Sequence, residues 1–190
     1  GVGKTTLAYA IARQLGLQPV LRWSITSRTT LKEGLYSYDS IGRLQESSLR
    51  RDQHGDAMTP PPIEDFLRLA PVGEAFATSK QGRPRVLLID ELDKSDIDLP
   101  NDLLHIFEEG EFPIPELERL RDRPQVSLSL PESAGGERTV GIKQGRLRCE
   151  EFPIVVMTSN DERDFPPAFR RRCLELDIEP VSRDSVHGTF

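Results

Sequence analysis

The chain has 190 residues, 25 Lys+Arg against 31 Asp+Glu, a formal net charge of −6 and 36% apolar residues. That is enough for one buried core and little for two, and it excludes a wholly disordered chain; the acidic balance also argues against non-specific binding to a nucleic-acid backbone. The apolar strand runs, 86–89 and 154–157, fall far short of the about 20 residues that cross a bilayer, and two cysteines make no disulfide framework, so a reducing, cytoplasmic setting is expected.

Lys4 to Leu15 carries Leu7, Ala8, Ile11, Ala12 and Leu15 at the spacing of one helical face, and Gly16 is a natural stop. Gln18 to Thr26 reads as a strand. Glu33 to Pro62 is polar and irregular, with a short helical stretch around Tyr38–Leu49 and a break at the proline triplet 60–62. Ile63 to Thr78 returns to helical spacing. Arg85 to Leu92 is continuously apolar before it ends in two acids, the pattern of a strand covered on both faces. A helix is expected over Asn101–Glu109. Val126–Leu130 and Thr139–Arg146 then form a β-hairpin across a loop containing Gly135 and Gly136. Pro153 to Asn160 is a second buried strand, and Leu174 to Ile178 a third, short one. Strands alternating with helices imply an α/β fold with a parallel sheet, whose strand ends line one edge.

Gly1-Val2-Gly3-Lys4-Thr5-Thr6 matches the second half of G-x-x-x-x-G-K-[ST]. Glycines let consecutive N–H groups curl toward phosphate oxygens, and the helix that starts here adds the positive end of its dipole. Lys4 supplies a mobile cation, and the Thr5 hydroxyl is a ligand for Mg²⁺. The motif opens the chain, so the true start is expected upstream of Gly1.

Asp90 and Glu91 follow four apolar strand residues, 85 positions after Thr5. A buried strand delivers both carboxylates to the sheet edge, Asp90 toward the metal and Glu91 toward an attacking water as general base. Asp93 and Lys94 read as a solvated turn. Thr158-Ser159-Asn160 tips the second strand. Asn160, or failing it Thr158, is placed to hydrogen-bond water and γ-phosphate, although an Asn there is as readily a turn or cap residue. Arg170-Arg171-Arg172 cannot all face one way on a short helix. One of them reaches a neighbouring subunit's phosphate site, or the cluster is a basic turn pairing with Glu175 or Asp177.

In this order Gly3-Lys4-Thr5, Asp90-Glu91, Asn160 and Arg170–Arg172 resemble the AAA+ ATPases over nearly the whole chain. Asp90-Glu91-Leu92-Asp93-Lys94, with Leu103-Leu104 and Phe107 to Gly110, looks like the MoxR-type and dynein-related branch. The resemblance implies a parallel-sheet P-loop NTPase core with an inserted β-hairpin, spanning residues 1–190 as a partial domain. The family's first strand, which lies between the sensor strand and the last strand, and its C-terminal helical lid are expected outside the chain. Without them, residues 1–190 alone should bind ATP poorly. By resemblance Asn160 is the first sensor, and Arg172, then Arg171, is the finger acting across a subunit boundary. ATP and Mg²⁺ are the implied cofactors, and the implied assembly is a hexameric ring of copies of this chain, remodelling a protein partner. The hairpin and the segment around Glu33–Pro62 are where such rings often touch substrate.

Three other readings compete. A nucleotide-dependent switch with little turnover would have no need of Glu91. A GTPase would use Asp52-Gln53-His54-Gly55 as D-x-x-G, but no strand precedes it and no N-K-x-D follows. A nucleic-acid remodeller is disfavoured by the acidic charge.

Overall fold

The computed structural model describes residues 3–54, 59–120, 122–130 and 139–178. Gly1, Val2 and the Gly135-Gly136 loop therefore lie outside the described residues, as does Gly55. Helix α1 spans Lys4–Leu15 and is closed by Gly16, whose N–H reaches Ala12 O and Arg13 O, while the Leu17 N–H bonds Ala12 O at 2.8 Å. Strand β1 (Leu21–Ser24), helix α2 (Leu31–Leu35), strand β2 (Tyr36–Tyr38) and helix α3 (Ser40–His54) follow. After them come a 3₁₀ turn (Ile63–Phe66), β3 (Leu67–Leu69), α4 (Pro71–Thr78) and β4 (Val86–Asp90). The last part holds α5 (Leu99–Glu109), β5 (Glu111–Pro113), α6 (Pro115–Glu118), β6 (Gln125–Ser129), β7 (Thr139–Lys143), β8 (Arg146–Arg148), β9 (Ile154–Met157) and α7 (Pro167–Arg170).

The site-bearing sheet is parallel, in the order β1-β4-β9. Ser24 pairs with Asp90, and Ile89 with Met157, so the C-terminal ends of all three strands finish at one level. Central β4 explains its unbroken apolar sequence. Leu87 and Ile89 face the main core with Trp23, Phe76 and Leu103, while Val86 and Leu88 face Ala8, Ala12 and Leu17 on the α1 side. All four are fully buried. Both faces of the strand are covered, so no polar alternation is tolerated.

Two expectations are corrected, and the hairpin is found as expected but extended. Ile63–Thr78 is not one helix: Ala70 precedes Pro71 and sits extended at φ −94°, ψ 174°, so the helix starts only at Pro71. The freed residues 67–69 pair antiparallel with β2, Tyr36 opposite Leu69. The inserted hairpin is part of a larger antiparallel sheet, β5-β8-β7-β6. There Gln144 (φ 52°) and Gly145 (φ 71°) make a two-residue turn between β7 and β8, both central residues having the positive φ that matches strand twist. A side chain at position 145 would also run into the Glu118 backbone at 2.4 Å. Leu174–Ile178 is not a strand, and Leu174 and Leu176 are exposed. A strand needs a neighbour's ladder, and among the described residues β9 is the last strand of its sheet, with Leu174–Ile178 paired to nothing.

Candidate functional site

Gly3 opens α1 in the left-handed region (φ 83°, ψ 10°), a turn that glycine makes without steric cost. This turn brings Lys4 and Thr5 onto the first helical turn, at the level where the parallel strands end. The Thr5 hydroxyl donates to Asp90 Oδ1 at 3.1 Å, and Lys4 Nζ donates to the Ser159 carbonyl in a very short contact. Three segments remote in sequence thus meet at one rim. Thr6 is exposed on the same turn.

Asp90 is the centre of this rim. Its side chain is 6% exposed and forms an ion pair with Arg22 at 2.6 Å. Thr158 Oγ1 donates to Asp90 Oδ1 at 2.6 Å and accepts the Glu91 N–H at 2.9 Å. Burial by itself would raise the Asp90 carboxyl. Hydrogen bonds from Thr158, Arg22 and Thr5, with the Arg22 charge, outweigh it and hold the group below its ordinary value.

Glu91 leaves the strand in the left-handed region (φ 62°, ψ 45°). For a residue with a side chain this costs about 1–3 kcal/mol and persists where surroundings enforce it. Here the enforcing contacts are the Thr158 hydroxyl on the Glu91 N–H and the Leu92 N–H on Thr158 O, both 2.9 Å. The Glu91 carboxylate pairs with Lys94 at 2.8 Å. Asn160 is exposed, and its side chain makes no hydrogen bond with the described residues. Its backbone N–H instead donates to Asp93 Oδ2 at 2.9 Å.

Sequence reasoning missed two residues here and misplaced one. Arg22 and Ser24 share a face of β1, and Ser24 lies beside Asp90, so Arg22 needs only its own length to reach that carboxylate. The signal was a lone cation between Leu21 and Trp23, legible only once strand order is known. Ser159 matters through its carbonyl, which no side-chain pattern reports. Asp93, read as part of a solvated turn, is buried at 3% exposure.

The arginine segment divides by partner. Arg170 makes a two-pronged pair with Glu175, at 2.7 and 2.9 Å. Arg172 pairs closely with Glu108 of α5 and donates to Ala168 O at 3.0 Å. Arg171 is exposed and pairs with none of the described residues. The basic-turn reading thus holds for Arg170.

The donor set fits Mg²⁺ and a nucleotide triphosphate. A threonine hydroxyl and a carboxylate held ionised, 3.1 Å apart, are hard oxygen donors, and an ammonium stands on the adjoining turn. Among the described residues there is no cluster of three His, Cys, Asp or Glu side chains able to hold a metal alone. Phosphate oxygens and water would complete such a site, as Mg²⁺ prefers. No helix of the described residues is long and apolar enough to cross a membrane.

No curated protein matches the chain. Residues 1–173 match the family model of the AAA domain, dynein-related subfamily. With the glycine turn, Lys4, Thr5 and Asp90 assembled on the rim of an α/β parallel sheet, this chain belongs to the dynein-related AAA domains, a nucleotide-binding ATPase family.

Proposed function

We propose that this domain binds ATP with Mg²⁺ and hydrolyses it, and that turnover remodels a protein partner, as in MoxR-like AAA+ chaperones. The observation that carries this reading is the 3.1 Å contact between Thr5 and Asp90, two residues 85 positions apart. Amides at the start of α1 and the Lys4 ammonium take the phosphate oxygens. Thr5 and Asp90 hold the metal, which supplies charge neutralisation across the phosphates. Glu91 swings off Lys94, accepts the proton of the attacking water and so sharpens it as nucleophile. Asn160, whose side chain makes no hydrogen bond with the described residues, hydrogen-bonds that water and the γ-phosphate. Residues 1–190 form a single partial AAA+ core in this reading, and two free cysteines agree with a cytoplasmic setting.

An arginine acting across a subunit boundary requires an oligomer, for which we favour a ring of copies of this chain. Of the two candidates we place Arg171 ahead of Arg172, since Arg171 pairs with none of the described residues and Arg172 pairs with Glu108.

The competing reading is a switch that binds ATP and barely turns it over, and the Glu91–Lys94 ion pair is the observation in its favour. The test uses nucleotide binding and phosphate release by the full-length protein. Lys4→Ala should weaken ATP binding about 100-fold, the loss of a strong charge-assisted hydrogen bond. Glu91→Gln should leave binding intact and cut turnover about 10²–10⁴-fold. Wild-type turnover no faster than that of Glu91→Gln would reject the enzyme and favour the switch.

A further inference from the structure

Asp93 lies two residues past the proposed base, on the 3₁₀ turn Leu92–Lys94. It is one of the few charged side chains fully withdrawn from solvent, at 3% exposure. One oxygen, Oδ2, accepts two backbone N–H groups from the segment after β9, Asn160 at 2.9 Å and Glu162 at 3.1 Å. The other, Oδ1, is buried with no hydrogen-bond partner among the described residues. Leaving a buried carboxyl oxygen without a partner is unfavourable.

The two amides it holds flank Asp161, which adopts φ 60°. The turn carrying Asn160 is therefore tied at both ends. Ser159 O takes Lys4 before it, and Asp93 takes the amides of Asn160 and Glu162 within it. Asp93 follows the strained Glu91 by two residues, and the N–H of Leu92 between them donates to Thr158 O.

We propose that Asp93 is a positioning residue: its carboxyl locks the Asn160 turn to the Glu91 turn, so that the residue orienting the water and the residue deprotonating it are held as one unit. This inference rests on the hydrolytic reading given above. Asp93 touches no reacting atom, so its loss should not alter nucleotide affinity. It should let Asn160 drift relative to Glu91, and a displacement of about 1 Å in such a group costs about 100-fold in rate.

The test is a set of variants in the full-length protein, with nucleotide dissociation constant, kcat and amide exchange read for each. Asp93→Ala should lower kcat about 100-fold while the ATP dissociation constant stays within about threefold. In the nucleotide-free protein the Asn160 and Glu162 amides should lose protection while Leu88 and Ile89 keep theirs, which also reports an intact fold. Asp93→Asn retains an acceptor oxygen of the same reach and should restore most of the rate. Should Asp93→Ala fail to fold, Asp93→Ser carries the same comparison. An unchanged kcat overturns the proposal. So does an affinity loss as large as the rate loss, or an Asp93→Asn protein as slow as Asp93→Ala. Wild-type protein without turnover overturns the hydrolytic reading and this inference together. Wild-type turnover that survives Asp93→Ala overturns this inference alone.

Discussion

The two charged regions of this domain are held in opposite ways. At the sheet rim, Asp90 is 6% exposed and takes hydrogen bonds from Thr5, Arg22 and Thr158, three residues from three separate segments. Around the end of α7, the Arg170–Glu175 and Arg172–Glu108 pairs are about half exposed on both sides. Pairs of that kind add little stability, because water competes for both partners and two long side chains must be ordered. The rim is therefore built before any ligand arrives, which is what fixed dipoles need to act without reorganising. The arginines can exchange one partner for another at small cost, which is what a group serving a neighbouring site needs.

The largest expected effect breaks the comparison at its exposed side. In full-length protein, Arg171→Ala should cut phosphate release about 10³-fold or more, the range of a transition-state arginine, and Arg172→Ala much less. A larger loss for Arg172→Ala would mean that the Glu108 pair is released in the assembly, and Arg171 would lose the role.

Next in size is the support under the rim. Leu88 lies one turn of the pleat below Asp90, fully buried against the α1 face. Leu88→Ala should cost about 2–5 kcal/mol in chemical denaturation, the sum of lost burial and residual cavity. A loss well under 1 kcal/mol would show that α1 packs loosely and that the rim is not preformed.

Acidification has a smaller effect and a defined sign. Asp90 sits below its ordinary value of 3.8 in the folded chain. Its contribution is therefore complete above about pH 4 and is lost as pH falls through the lower folded value. Asp90→Asn should flatten the acid limb of a stability-against-pH curve in nucleotide-free protein. An unchanged acid limb would mean that the rim hydrogen bonds do not favour the ionised form. Smallest of all, Glu175→Ala should leave the melting midpoint where it is, since that pair is exposed on both sides. A clear drop would make the arginine segment a structural element and not a deployable one.

Particular residues mark how far the sequence carries. The run from Val86 to Ile89, then Asp90, could only be a doubly covered strand ending in an acid, and the structure has it so. Lys4 and Thr5 were identifiable because glycines, a cation and a hydroxyl in that order have few other uses. Arg22 was not, since an arginine on a strand gains its meaning from which strand lies beside it and in what register. The helical spacing over Ile63–Thr78 misled because a single proline and a partner strand outweighed the periodicity.

By itself the sequence determined the chemistry available: hard oxygen donors, a mobile cation, a second carboxylate, and a central strand able to carry them inside an α/β sheet. These follow from residue type and short-range pattern, which are local properties. Only the tertiary structure decided which groups meet. It withdrew Asp93 from solvent onto the Asn160 turn, gave Asp90 an arginine partner, and left Arg171 alone among its neighbours unpaired with the described residues. Those outcomes depend on strand register and on turns with positive φ, where a displacement of one residue would send each side chain to another face.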